Sequence, residues 1–228
     1  MSRAQRALPP ARGSAAEARD QMVEHQLRRR GNFDERVLEA MARVPRERFV
    51  PEELRYLAYE DGALPIGGGQ TISQPFMVAT ICQLLELSGN ERVLDVGTGS
   101  GYQAAVLAEL AAHVVTIERV PALAERAQSA LAQVGCAEVE VLVGDGSVGA
   151  PAWAPFDGIA VAAAAPAVPP ALVDQLAEGG RLVVPRGGRF GQRLVLVERA
   201  GDGHRERAGV SCRFVPLVGA EGFSDGAS

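Results

Sequence analysis

The chain contains no lysine, so all 23 of its fixed cationic side chains are arginines, a compositional bias from which no function is drawn. Acidic side chains outnumber them at 28, leaving a net charge of -5 at pH 7. That balance excludes a protein that grips nucleic acid through its phosphates, which needs a basic footprint. Cysteine and histidine are scarce, at three of each. Cys82, Cys136 and Cys212 form no C-x-x-C pair, and His25, His113 and His204 are scattered, so neither a metal-ligand set nor a Cys/His nucleophilic pair is present. Isolated thiols fit buried positions in a reducing compartment, here the cytoplasm. Aromatic residues make up only 5%, and Tyr102, Trp153 and Phe156 read as packing rather than as a stacking platform. No apolar run approaches the roughly 20 residues that span a bilayer. The longest, Ile159 to Val168, is alanine-rich and broken by Pro166, which excludes a membrane partner.

What is present is enough apolar material, 47% of 228 residues, for one domain of ordinary core size. Residues 1–16 are rich in Arg, Ala and Pro without an apolar core segment, and are expected to be a disordered tail rather than a targeting signal. Residues 17–75 read as a helical cap followed by a polar loop. A first helix from Glu17 to Arg30 stops at Gly31, its Arg28-Arg29-Arg30 run complementing the helix dipole. A second is capped by Asp34, carries Val37, Leu38 and Met41 on one face and ends at Pro45.

From 76 to 218 the pattern alternates between strands and helices. Strands are expected at Arg92–Val96, His113–Ile117, Val139–Val143, Gly158–Val161 and Arg181–Val184, with helices at Phe76–Leu87, Tyr102–Ala111, Pro121–Val134 and Pro170–Ala177. This predicts an α/β domain, an open and mostly parallel sheet with helices on both faces. Leu194–Val197 and Phe214–Val218 have no helix between them, so the sheet is expected to finish in an antiparallel pair. Residues 219–228 read as a C-terminal tail.

The glycine-rich stretch Val93-Leu94-Asp95-Val96-Gly97-Thr98-Gly99-Ser100-Gly101-Tyr102 leaves a buried strand and lets the backbone approach a ligand at the sheet's carboxyl edge. Gly99 to Ala104 also fits the G-x-G-x-x-G/A dinucleotide pattern. In that pattern the first glycine follows the strand directly, whereas Gly99 comes late and Asp95 stands in the strand itself. Three acids then mark successive strand ends: Asp95, Glu118 and Asp145, the last within Gly144-Asp145-Gly146. Glu118 is placed to accept from ribose hydroxyls and Asp145 from an adenine amino group. An acidic rim suits S-adenosylmethionine, which carries an ammonium and a sulfonium, better than it suits a pyrophosphate.

Upstream lies Gly67-Gly68-Gly69-Gln70-Thr71-Ile72-Ser73-Gln74-Pro75. Taken alone, Ser73 reads as a helix-start residue, because Pro75 suits the first helical position. With Val44-Pro45-Arg46-Glu47-Arg48-Phe49-Val50-Pro51, Leu64-Pro65-Ile66-Gly67, Asp95 to Tyr102, Gly144-Asp145-Gly146 and Arg213-Phe214-Val215-Pro216-Leu217, this loop resembles the protein-L-isoaspartate (D-aspartate) O-methyltransferases. The likeness runs from about Met22 through Val218.

The resemblance implies a class I S-adenosylmethionine-dependent methyltransferase fold. It also implies transfer of a methyl group from S-adenosylmethionine to the free α-carboxylate of L-isoaspartyl residues, with D-aspartyl as a second acceptor, in damaged peptides and proteins, leaving S-adenosylhomocysteine. The ester then closes to a succinimide that reopens partly to normal aspartate. By the same resemblance Ser73 is the essential catalytic serine, and Asp95, Gly97, Thr98, Gly99, Gly101, Glu118, Asp145 and Gly146 bind the cofactor. Gln70, Thr71, Ile72, Arg213, Phe214 and Val215 fall to the peptide substrate, with no metal and a monomeric chain. Ala162 and Ala63 stand where the family often has Thr and Pro, and Gly68 makes a third consecutive glycine. The missing hydroxyl at 162 is a matter of about 1 kcal/mol.

The acceptor carboxylate, with a pKa of roughly 3.3 to 3.7, is ionised at neutral pH, so no base is needed and Ser73 is expected to orient rather than attack. Three other readings remain open at this point. One is a methyltransferase dedicated to aspartate in a single peptide, another a nicotinamide-dependent oxidoreductase, and the third a nucleotide-binding module without turnover.

Overall fold

The computed structural model describes residues 14–188, 191–201 and 203–226. The expected disorder of residues 1–13 and the expected turn at Asp202 lie outside them. Helix α1, Ala15–Met22, begins earlier than Glu17 because Ser14 and Glu17 form a reciprocal cap. The Ser14 hydroxyl accepts from Glu17 N at 3.3 Å, while the Glu17 carboxylate accepts from Ser14 N at 2.9 Å. A wider π-type turn, Val23–Arg28, continues it and buries Val23 and Leu27. The arginine run behind it is taken up by acids, Arg28 with Glu35, Arg29 with Glu24 and Arg30 with Asp61. Asp34 caps α2, Glu35–Arg43, by accepting from Arg36 N at 2.8 Å.

The segment around Gly67-Gly68-Gly69 is a hairpin, a regularity that its polar composition concealed. Strand β1, Leu64–Gly67, pairs antiparallel with β2, Gln70–Ile72. Gly68 and Gly69 between them take φ of +61° and +71°, the left-handed pair that a two-residue hairpin turn requires. Helix α3, Pro75–Leu85, follows with Pro75 in its first turn.

The main sheet has seven strands in the order β5-β4-β3-β6-β7-β8-β9. They are β3 Arg92–Val96, β4 His113–Glu118, β5 Glu140–Val143, β6 Phe156–Val161, β7 Leu176–Gly188, β8 Gly191–Ala200 and β9 Gly203–Cys212. Pairs from β5 to β7 are parallel, and β7, β8 and β9 form an antiparallel meander. Connecting helices are α4 Tyr102–Ala108, α5 Pro121–Gln133 and α6 Pro170–Asp174. Alternation along β3 sends Val93 to one core layer and Leu94 and Val96 to the other, as a sheet covered on both faces requires.

The antiparallel end departs from expectation in its last strand. Residues 214–218 are not the partner of Leu194–Val197; Gly203–Cys212 is. Both faces of β9 are largely exposed, so it lacks the apolar alternation that marks a strand. The apolar segment Phe214–Val218, with Pro216 unable to donate to a ladder, instead crosses the sheet's carboxyl edge and bonds to Ala164. Gly219–Gly226, expected as tail, continues this crossing: Gly219 N donates to Phe223 O at 3.1 Å, and Glu221 accepts from Ala171 N at 2.8 Å.

Candidate active site

From β3 the chain winds outward through β4 to β5, then returns to the other side of β3 as β6. Crevices form at the carboxyl ends beside such a reversal, and a cleft lies there. Its floor is Gly97 to Ser100, one wall is Glu118 and Arg119 with Gly146, the opposite wall is Gln70 to Ser73, and Val215 to Val218 cover it.

The three acids, equivalent by spacing, have three different positions. Only Glu118 lines the cleft. It is 6% exposed, and its two oxygens accept from Gly99 N at 2.9 Å and Val120 N at 3.0 Å, leaving lone pairs toward the opening. Asp95 is fully buried beneath the floor. Gln103 Nε2 donates to one of its oxygens at 2.7 Å and the Thr116 hydroxyl to the other at 2.9 Å. Burial pushes its carboxyl up to about 7, against the pull of those two hydrogen bonds. Asp95 thus reaches the cleft through Gln103 and the Thr116–Thr98 hydroxyl pair, which are 2.7 Å apart, and not by its own oxygens.

Asp145 turns away from the cleft. It accepts from Ser147 N and Oγ, at 2.9 and 2.7 Å, and from Ala220 N at 2.7 Å. Those backbone and hydroxyl bonds outweigh burial and hold its carboxyl below the usual range. Its place in the cleft is taken by Gly146, which has room for no side chain because a Cβ would come within 2.7 Å of Val96 Cγ1. Gly101 also lies outside the cleft: with φ of +89° it starts α4 pressed against Ala127 and Leu131 of α5.

On the opposite wall, Ser73 does not cap α3; Gln74 occupies that position without a side-chain cap bond. Ser73 lines both the main cleft and an adjoining recess made by Ala63, Met77, Ala162 and Ser211 to Val215. Thr71 and Val215 border both spaces as well, whereas Gln70 and Ile72 face only the main cleft and Arg213 and Phe214 only the recess. Gln192 clasps the Phe214 backbone, donating to its carbonyl at 3.1 Å and accepting from its N–H at 2.6 Å. Gln103, Gln192 and Arg46, whose guanidinium donates to Ser73 O at 2.7 Å, escaped sequence reasoning. Each acts on a segment far from it in sequence or stands inside a helix pattern that explained it already. Among the described residues no cluster of three His, Cys, Asp or Glu could hold a metal.

The family model for protein-L-isoaspartate(D-aspartate) O-methyltransferase matches residues 17–222. The chain belongs to this family. It is 57% identical over 210 residues to protein-L-isoaspartate O-methyltransferase 2 of Marinobacter nauticus, covering 91% of this chain and 96% of that one. It is 55% identical over 206 residues to the protein-L-isoaspartate O-methyltransferase of Methanoculleus marisnigri, covering 90% and 93%. A solved protein-L-isoaspartate O-methyltransferase superimposes with a TM-score of 0.80 at 28% identity, covering 90% of this chain and 67% of that one. A Plasmodium falciparum structure described as a member of the family, in complex with S-adenosyl-L-homocysteine, gives 0.76 at 25% identity over 88% and 98%. Membership in a methyltransferase family displaces the nicotinamide reading, and the late position of Gly99 accords with that.

Proposed function

We infer that this protein is a protein-L-isoaspartate O-methyltransferase, which moves a methyl group from S-adenosylmethionine to the free carboxylate of isoaspartyl residues in peptides and proteins. The observation that carries this reading is the position of Ser73, shared by the cofactor cleft and the adjoining recess. The residues present fit the cofactor: Glu118 offers acceptor lone pairs at the wall, and the buried Gln103 Oε1 beneath it has no partner. When bound, S-adenosylmethionine supplies an electrophilic methyl on a cationic sulfur.

The chain's own residues have three tasks. Glu118 would hold the ribose hydroxyls while it braces Gly99, so that cofactor and glycine loop would share one anchor. Asp95 supports this floor from beneath, and Asp145 pins the loop that presents Gly146. Ser73 donates to the acceptor carboxylate and aims one of its oxygens at the methyl carbon. Because the acceptor carboxylate is already ionised, Ser73 would have no proton to remove and would only hold it in place. Alignment alone can supply about 7 to 11 kcal/mol in ideal intramolecular cases, so orientation without a base suffices. The recess beside Ser73 receives the peptide backbone along Arg213 to Val215, and such backbone recognition makes the enzyme broad in sequence. We further propose a monomer that works in the cytoplasm, where its free thiols stay reduced.

Labelled methyl transfer to an isoaspartyl peptide and to its normal aspartyl twin tests the reading. Label on the isoaspartyl peptide alone is expected. Equal labelling of both, or none, contradicts it.

A further inference from the structure

Arg46 places a cation in the core. It sits in the short 3-10 turn Arg46–Phe49 with none of its surface exposed. Among the described residues it has no carboxylate partner, its Nη1 bonds to nothing, and burial lowers its pKa to about 10. A buried cation without a counterion is expensive, and an apolar side chain would fill the space at lower cost.

What the guanidinium does there is specific. Its Nε donates to Ala58 O at 2.8 Å and its Nη2 to Ser73 O at 2.7 Å. Its Cζ lies over the Tyr102 ring, 4.8 Å from the centroid. Tyr102 is the first residue of α4 and lines the cofactor cleft, as Ser73 does on the facing wall. Phe49 from the same turn packs edge-on against that ring at 5.7 Å. One rigid fork therefore ties the serine's backbone to the helix that follows the glycine loop. Lysine would supply the charge but not the paired, directed donors.

We propose that Arg46 is a positioning residue for methyl transfer: by bridging the Ser73 carbonyl to the Tyr102 ring, it sets the serine hydroxyl in register with the bound cofactor. This rests on the role of Ser73 proposed above. It acts only through Ser73, so its loss matters little once the Ser73 hydroxyl is gone.

The test is a double-mutant cycle in Ser73→Ala and Arg46→Lys, with Arg46→Gln run in parallel. Turnover of an isoaspartyl peptide and S-adenosylhomocysteine affinity are measured well below each variant's unfolding temperature. Arg46→Lys is expected to lower turnover by about 10²-fold, the scale of a small misplacement. Homocysteine-nucleoside affinity should stay within about threefold of wild type, and the further loss in the Ser73→Ala background should also stay under about threefold. Losses that multiply in the double variant, or an affinity loss as large as the turnover loss, overturn the proposal. So does a chain that folds with neither substitution, since Arg46 would then serve the fold. An inactive wild type, or Ser73→Ala as active as wild type, brings down the functional reading itself.

Discussion

The two walls of the cleft differ in how many stretches of chain build them. The cofactor wall comes from strand ends one β-α unit apart, each delivering a residue to the same edge because parallel strands share a direction. The acceptor wall is assembled from separate pieces: the β1–β2 hairpin, Arg46 beneath it, and Ser211 to Val215 leaving β9. Arg126 of α5 fixes the hairpin by donating to Ile66 O at 3.0 Å. Binding of the cofactor can thus be kept by local geometry, while placement of the acceptor depends on contacts between distant segments. Substitutions on the two walls should therefore fail in different ways.

The largest expected effect is on the acceptor wall. Ser73→Ala should lower turnover by about 10²-fold or more while leaving S-adenosylhomocysteine affinity nearly intact, as steady-state kinetics beside calorimetric titration would record. Lost affinity would mean that the serine belongs to the cofactor wall. Next is Glu118→Ala, expected to weaken S-adenosylhomocysteine binding by about 10- to 100-fold, the worth of a hydrogen bond to a charged group. Unchanged affinity would remove Glu118 from the ribose.

Asp95→Asn should act through pH. The folded-state pKa of about 7 lies above the unfolded value of 3.8, so the folded protein holds the proton longer. The stability from this group is complete at low pH and is lost as pH rises through about 7, at up to about 1.4 kcal/mol per pH unit. Wild type should lose stability relative to the variant between pH 4 and 8 in denaturant titrations; a constant difference would contradict this. The smallest effect is expected for Asp145→Ala, a loss of about 1 to 2 kcal/mol as the bonds to Ser147 and Ala220 go. Its affinity change should be smaller than that of Glu118→Ala, and a larger one would return Asp145 to the cofactor.

The same contrast explains what could be read in the sequence. The parallel strands, their order of helices and the glycine loop were legible because period, caps and turn residues are local. So was the edge on which Glu118 falls. The partners of Asp95 and Asp145 were not, because strand spacing locates a Cα but does not say which way a carboxylate turns. Strand β9 was missed because an edge exposed on both faces carries no alternation, and Phe214–Val218 was taken for it because apolar residues crossing over a site look like a strand. Arg46 stood within the segment that carries the family likeness, yet one of two arginines between Pro45 and Phe49 gives no hint of the carbonyl it holds 27 positions away.

Single-turnover methyl transfer to an isoaspartyl peptide, with each variant first saturated with S-adenosylmethionine, tests this division of labour most directly. Saturation should restore Glu118→Ala to near the wild-type rate and leave Ser73→Ala slow. Recovery of both, or of neither, would contradict it.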